Sequence, residues 1–197
     1  MFITLEGIDG SGKSTQSERL AQWLTNRTGR ETIRTYEPGG YPNGDFLRKL
    51  ILGSTDLSVK AELLLFLADR AEHVSKVIAP ALQAGHNVIC ERWNDSTLAY
   101  QSGEGKLSRD EVMSLIFACN FPEPDVKIFL DLPPETALSR IMERTDSDKF
   151  ESEGLALLTR VATSYRELAL TRIDCTGMNQ DEVFWAITTE LEAWLSR

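Results

Sequence analysis

The residues best suited to chemistry come early in the chain. Residues 7–14 read Gly7-Ile8-Asp9-Gly10-Ser11-Gly12-Lys13-Ser14, a complete G-x-x-x-x-G-K-[ST] pattern. The pattern follows an apolar run and precedes a segment of helical period. Glycines at such a bend let successive backbone N–H groups converge on phosphate oxygens, and the helix N-terminus behind them adds partial positive charge. Lys13 can then reach β- and γ-phosphates, with the Ser14 hydroxyl placed to ligate Mg²⁺ and Thr15 next to it in the first turn. The spacing predicts a nucleoside triphosphate site.

Other motifs narrow the class. No guanine-reading N-K-x-D occurs, and Asp174-Cys175-Thr176-Gly177, which has the form of a D-x-x-G switch, lies near the C-terminal end. After Ile128-Phe129-Leu130 a single acid, Asp131, leads into Leu132-Pro133-Pro134 rather than to the second acid usual in motor ATPases. Size and these absences point to a small-molecule kinase.

Five segments, the first running into the glycine loop, carry a resemblance. They are Glu6-Gly7-Ile8-Asp9-Gly10, Glu37-Pro38-Gly39-Gly40, Phe66-Leu67-Ala68-Asp69-Arg70, Glu91-Arg92-Trp93 with Ser96-Thr97-Leu98-Ala99-Tyr100-Gln101, and Asp148-Lys149-Phe150-Glu151. In this order they resemble the thymidylate kinase family, whose members move a phosphoryl group from ATP to dTMP, and the resemblance covers essentially the whole chain. It implies that Phe66 stacks on thymine with Arg70 one turn further along the same helix face. It implies that Arg92 grips the acceptor phosphate, that Thr97 and Gln101 hydrogen-bond the base, and that Tyr100 crowds the sugar 2′ position. Asp9 matches an acid near the acceptor sugar and the metal, Arg48 a contact to the dTMP phosphate, Glu37 the acid that organises its turn, and Glu91 a position beside the metal.

The same resemblance places the last cations. Gly10 and Ser11 leave the loop without a basic side chain, so the charge over ATP is expected from a lid at residues 140–151, with Arg144 and Lys149 as its catalytic cations and Arg140 touching ATP. The family implies a homodimer packed through helices. Tyr36, Glu91, Trp93 and residues 102–106 depart from the usual pattern, which keeps a kinase for dUMP or UMP, and a nucleotide-binding regulator without catalysis, as alternatives. No general base is needed, because a phosphate monoester with a second pKa of about 6 is already ionised near neutral pH. Alignment and charge stabilisation by Lys13, Arg92, Mg²⁺ and the lid would carry the reaction, with lid closure excluding water.

These residues need a scaffold. Apolar runs over residues 2–5, 31–36, 87–91, 126–132 and 172–175 predict strands, and segments of helical period between them predict a three-layer α/β kinase fold, a five-stranded parallel sheet flanked by helices. Helices are expected over 13–26, 45–52, from Ser58 onward with a break or restart at Pro80, from the capping box at Ser108 toward Pro122, over 134–144, over 151–171, and from Asn179. Residues 92–101 read as a polar connection. His73 and His86 belong to no motif.

At 197 residues the chain is expected to be one domain, since a domain takes roughly 150 residues. With 42% hydrophobic and 26% charged residues it is ordinary globular material. It has no apolar run long enough to span a bilayer and no signal-like start, so a cytoplasmic location is expected. Cys90, Cys119 and Cys175 have no CxxC spacing and read as buried free thiols. The 21 basic against 30 acidic residues give a net charge of −9, which opposes nucleic acids and anionic membranes as partners. Two anionic nucleotides would have to be held at short range, by oriented N–H groups and by cations gathered locally.

Overall fold

A computed structural model describes residues 1–53, 56–103, 105–143 and 151–196. Arg144 and Lys149, and with them most of the expected lid, lie outside the described residues. The strands β1 (Phe2–Glu6), β2 (Thr32–Tyr36), β3 (Asn87–Glu91), β4 (Val126–Asp131) and β5 (Thr171–Asp174) form one parallel sheet in the order β2-β3-β1-β4-β5. β1 pairs with β3 on one side and β4 on the other, with Leu5 opposite both Glu91 and Ile128. Every residue of β1 and β3 is buried, as expected of central strands covered on both faces.

β1 leads through the glycine loop into α1 (Lys13–Thr28), whose Leu20 and Leu24 pack into the core below the sheet with α9 (Gln180–Leu195) alongside. The remaining helices are α2 (Asp45–Gly53), α3 (Val59–His73), α4 (Ala79–Gln83), α5 (Asn94–Gln101), α6 (Arg109–Cys119), α7 (Pro134–Met142) and α8 (Glu151–Arg166). Ser58, Ser108 and Asn179 cap their helices with side-chain oxygens, the last two in full capping boxes.

At Pro80 the helix restarts rather than breaks: a π-turn, Val74–Ile78, joins α3 to α4, which carries Pro80 in its first turn, with the Ala79 N–H bonded back to Val74 O. The widened turn lies directly before a residue that lacks an N–H and whose ring would crowd the carbonyl four residues earlier in a regular helix. Three sequence expectations need correction. Residues 94–101 are helical rather than a polar connection, and Asn94, Asp95, Ser96 and Thr97 are all buried. Cys119 is exposed, whereas Cys90 and Cys175 are buried. The helix expected over 151–171 also stops earlier, at Arg166.

Candidate active site

Acidic or polar residues end the strands along one edge of the sheet: Glu6, Tyr36 followed by Glu37, Glu91, Asp131 and Asp174. This carboxyl edge is where open α/β sheets bind ligands, and β1, with its neighbours on either side, marks the switch point. The glycine loop sits there. Gly7, Gly10 and Gly12 have φ of +144°, +80° and +93°. At Gly10 the requirement is steric as well, since a Cβ would lie 2.5 Å from Ala137 O of α7. Gly12 occupies the cap position of α1 with no side-chain cap, and the first turn contains no acid. The other capped helix starts close their N–H groups with a serine or asparagine, whereas α1 leaves its own open to an anion.

Lys13 is buried and its ammonium donates to Gly7 O at 3.0 Å and Ile8 O at 2.8 Å. Burial, reinforced by Arg92, pulls it down to about 7, against the carboxylates of Asp9, Glu91 and Glu6. Ser14 Oγ donates to Glu91 Oε2 at 2.6 Å, and Ser17, one turn on, donates to Oε1 at 2.6 Å. A carboxylate and a hydroxyl side by side at the loop mouth are all-oxygen donors of the kind Mg²⁺ accepts alongside phosphate and water, so the two residues fit that ion. Gly10, Gly12, Lys13, Ser14 and Thr15 line a cavity of about 500 Å³ that also reaches Glu91 and Arg92. On the far side of the loop, Ser11, Thr15 and Arg140 border a second cavity of about 340 Å³ closed by Met178, Asn179 and Gln180. Arg140 points its guanidinium at Gly10 O, 3.4 Å away.

Next to the loop lies a third cavity of about 300 Å³. Asp9, Glu37, Arg48, Phe66, Arg70, Arg92, Thr97, Tyr100 and Gln101, brought from separate segments, all line it. Arg92 follows β3 with φ +71°, a left-handed conformation that a non-glycine residue adopts only at some cost. That bend turns its guanidinium to Asp9 Oδ1 at 2.6 Å and to the Tyr100 hydroxyl at 3.2 Å, with the charge 4.9 Å from the Tyr100 ring centroid. Against the upward pull of partial burial, Arg92 and Lys13 hold the Asp9 carboxyl below its ordinary value. Arg92 is therefore shared by both cavities and stands between them.

The remaining wall is tied together by hydrogen bonds. Arg70, almost fully buried, donates to Glu37 Oε2 through Nε at 2.8 Å and to Asn94 Oδ1 and Thr97 Oγ1 at 3.0 Å each. Its charge lies 5.0 Å from the Trp93 ring centroid. Half-buried Phe66 precedes it by one turn on α3. Arg48 of α2 donates to Pro38 O at 2.7 Å, within a turn whose Glu37–Pro38 bond is cis. Gln101 Nε2 lies 3.4 Å from Glu62 Oε1, and Lys106 Nζ 3.2 Å from Glu62 Oε2.

Sequence reasoning passed over several groups of this site. Glu6 is fully buried beneath Ser96, which donates to Oε2 at 2.5 Å, and Tyr165, at 3.2 Å. Burial and the nearby Asp95 charge raise it from its ordinary 4.5 to about 7. Ser17 and Glu62 had a signal, one helical turn from Ser14 and from Phe66 respectively. His73, at i+3 from Arg70, had the same signal, while Asn94 and Tyr165 had none.

A central parallel sheet, a glycine loop with an open helix start, and two cavities sharing an arginine define a phosphate-loop kinase of small substrates. The comparisons with known proteins sharpen this. The thymidylate kinase family model matches residues 5–179. A thymidylate kinase of Thermosipho melanesiensis is 44% identical over 87% of this chain and 85% of its own length, and one of Desulfovibrio desulfuricans is 42% identical over 100% and 97%. The crystal structure of thymidylate kinase from Ehrlichia chaffeensis superposes with a TM-score of 0.78 at 29% identity, covering 97% of this chain and 98% of that one. The chain belongs to the thymidylate kinase family.

Proposed function

We propose that the chain transfers the γ-phosphoryl group of ATP to dTMP, giving dTDP and ADP. The observation that carries this reading is the position of Arg92, bonded to Asp9 of the glycine loop and standing between the loop and the cavity lined by Phe66 and Arg70. A monophosphate seated by its base on Phe66 would bring its phosphate to Arg92 and Arg48. A triphosphate would lie along residues 7–15 with its nucleoside toward Arg140 and Asn179. Lys13 and Arg92 hold the repelling phosphates in line, and Tyr100 restricts the space beside the sugar. Mg²⁺, held by Ser14 and Glu91 together with substrate oxygens, would neutralise charge on the transferred group. Arg144 and Lys149 are proposed to complete the positive field from the lid, at residues 140–151 of a single kinase domain.

No helix among the described residues is long and apolar enough to cross a membrane. A cytoplasmic homodimer is part of the same reading. The dimer is supported by the packing of α3 against α6, which leaves Leu64, Met113 and the 86%-exposed Phe117 uncovered. ADP release with ATP, Mg²⁺ and dTMP tests the activity, and dUMP and UMP measured in parallel test the base and sugar. Release that depends on dTMP, with kcat/KM at least about ten-fold above that for UMP, is the expected result. No acceptor-dependent release, or a preference for UMP, defeats the proposal.

A further inference from the structure

α3 turns three polar side chains toward the turn that follows β2. Asp69 Oδ2 accepts the Gly39 N–H at 3.0 Å, Arg70 holds Glu37 Oε2, and the fully buried His73 sets both ring nitrogens against oxygens. Its Nδ1 lies 2.9 Å from Glu37 Oε1 and its Nε2 2.6 Å from Thr35 Oγ1. The hydrogens along this chain can be counted. Thr35 has a single hydroxyl hydrogen and donates it to Gly40 O at 2.9 Å, so toward His73 it accepts, and Nε2 carries a hydrogen. Glu37 Oε2 receives two N–H groups of Arg70, at 2.8 and 2.7 Å, the setting of an ionised carboxylate. Oε1 is then an acceptor too, and Nδ1 must also carry a hydrogen. A neutral imidazole has only one N–H to give.

We infer that His73 is a positioning residue, held with both ring nitrogens protonated, which bridges Thr35 and Glu37 and so fixes the turn at residues 37–40 that supports Arg48 and Arg70 in the acceptor cavity. The inference rests on the proposed reading of that cavity as the monophosphate site. Movement of the turn cannot be isolated from Arg48: Arg48 Nη1 donates to Pro38 O, and at Gly39, with φ +92°, a Cβ would lie 2.9 Å from Arg48 Cβ. Glu37 and Asp69 are the nearby carboxylates, the first held by Arg70 and the second by the Gly39 N–H, with burial raising Asp69 above its ordinary value. Tyr41 stacks on the ring at 6.2 Å between centroids. The Cys90 thiol, within 4.8 Å of the Glu37 and His73 ligand atoms, is engaged with Arg92 O at 3.2 Å, and burial pushes it well above its ordinary value. A metal held by Glu37, His73 and Cys90 would have to break the Nδ1–Oε1 bond.

The sequence has two histidines, so a long-range ¹H–¹⁵N spectrum of the ring nitrogens, with a His86→Gln variant to identify the other signal, reads His73 directly. From the hydrogen-bond count, both His73 nitrogens are expected in the protonated range. One unprotonated ring nitrogen overturns the inference. In steady state, His73→Asn retains a donor toward Glu37 and His73→Gln one toward Thr35, each losing the other bond and the charge. Both are expected to raise KM for dTMP about ten-fold while KM for ATP stays within about two-fold, the loss typical of one charge-assisted hydrogen bond. A folded variant with unchanged KM for dTMP also overturns it. Should neither variant fold, the wild-type spectrum decides. Absence of dTMP-dependent turnover in the wild type would defeat the acceptor reading alone, while the spectrum still reports on His73.

Discussion

Lys13 offers a quantitative test of how the phosphate loop is built. Its ammonium is enclosed by Gly7 O and Ile8 O, and burial with Arg92 nearby brings it to about 7. A polyphosphate arriving beside Nζ favours the charged form, so binding above that value must be accompanied by proton uptake. At about pH 8 roughly nine-tenths of the free protein would hold neutral lysine, and recharging it costs about 1.4 kcal/mol, a factor of about ten in affinity. Between about pH 8 and pH 9 the affinity should fall a further factor of roughly nine, since binding takes up nearly one proton throughout that range. The nucleotide's own phosphates are ionised throughout that window and add nothing to the slope. Titration calorimetry with Mg-ADP in two buffers of different protonation enthalpy gives the uptake directly, expected near 0.9 proton at about pH 8. Zero uptake together with a flat affinity between pH 8 and 9 would show that the lysine is already charged before nucleotide binds, and the burial argument would fail.

Two further predictions concern the groups beneath and within the loop. Glu6 is raised from 4.5 to about 7, so the native state holds its proton more tightly than the unfolded chain; its contribution to stability is intact below about pH 4.5 and is lost as pH rises to 7. Against a Glu6→Gln variant, the wild type should lose about 3 kcal/mol of relative stability across that window in urea unfolding, and a pH-independent difference would refute the assignment. Gly10→Ala puts a Cβ 2.5 Å from Ala137 O at φ +80°, so the loop must move. KM for ATP is expected to rise about ten-fold or more with KM for dTMP within about two-fold, the left-handed backbone alone costing about 1–2 kcal/mol; equal effects on both substrates would point to global damage instead.

The phosphate loop was legible because its chemistry is local: glycine positions, a lysine and a serine, bracketed by a strand and a helix, specify the geometry without help from distant residues. The central strands were legible for a similar reason, as continuous apolar runs such as Val88-Ile89-Cys90 and Ile128-Phe129-Leu130. α5 was not. Trp93 gives it no side-chain cap, its first turn is Asn, Asp, Ser and Thr, and what makes it helical is burial against β1 and α8 through Ser96, Glu6 and Tyr165. The cavity wall was read through resemblance, which located Arg70 and Glu37 but not the ion pair between them, because their 33-residue separation closes only when β2 and α3 are side by side. His73 escaped notice for the same reason: three residues after Arg70, it becomes meaningful only once Thr35 and Glu37 are opposite it.

The π-turn between α3 and α4 also restricts how the length of this segment can change. Its i→i−5 bond, from the Ala79 N–H to Val74 O, takes up one residue more than a regular turn, so removing one residue from Val74–Ile78 would close an ordinary α-turn and leave the faces on either side nearly in place. Ile78 and Ala81 would stay packed under Phe2, Val88 and Trp93, but the Pro80 ring would then meet a carbonyl of the tightened turn. An added residue has no such slack: at about 100° per residue it would swing Ile78 and Ala81 away from the sheet. The segment can give back one residue at a cost set by Pro80, and it cannot take up another.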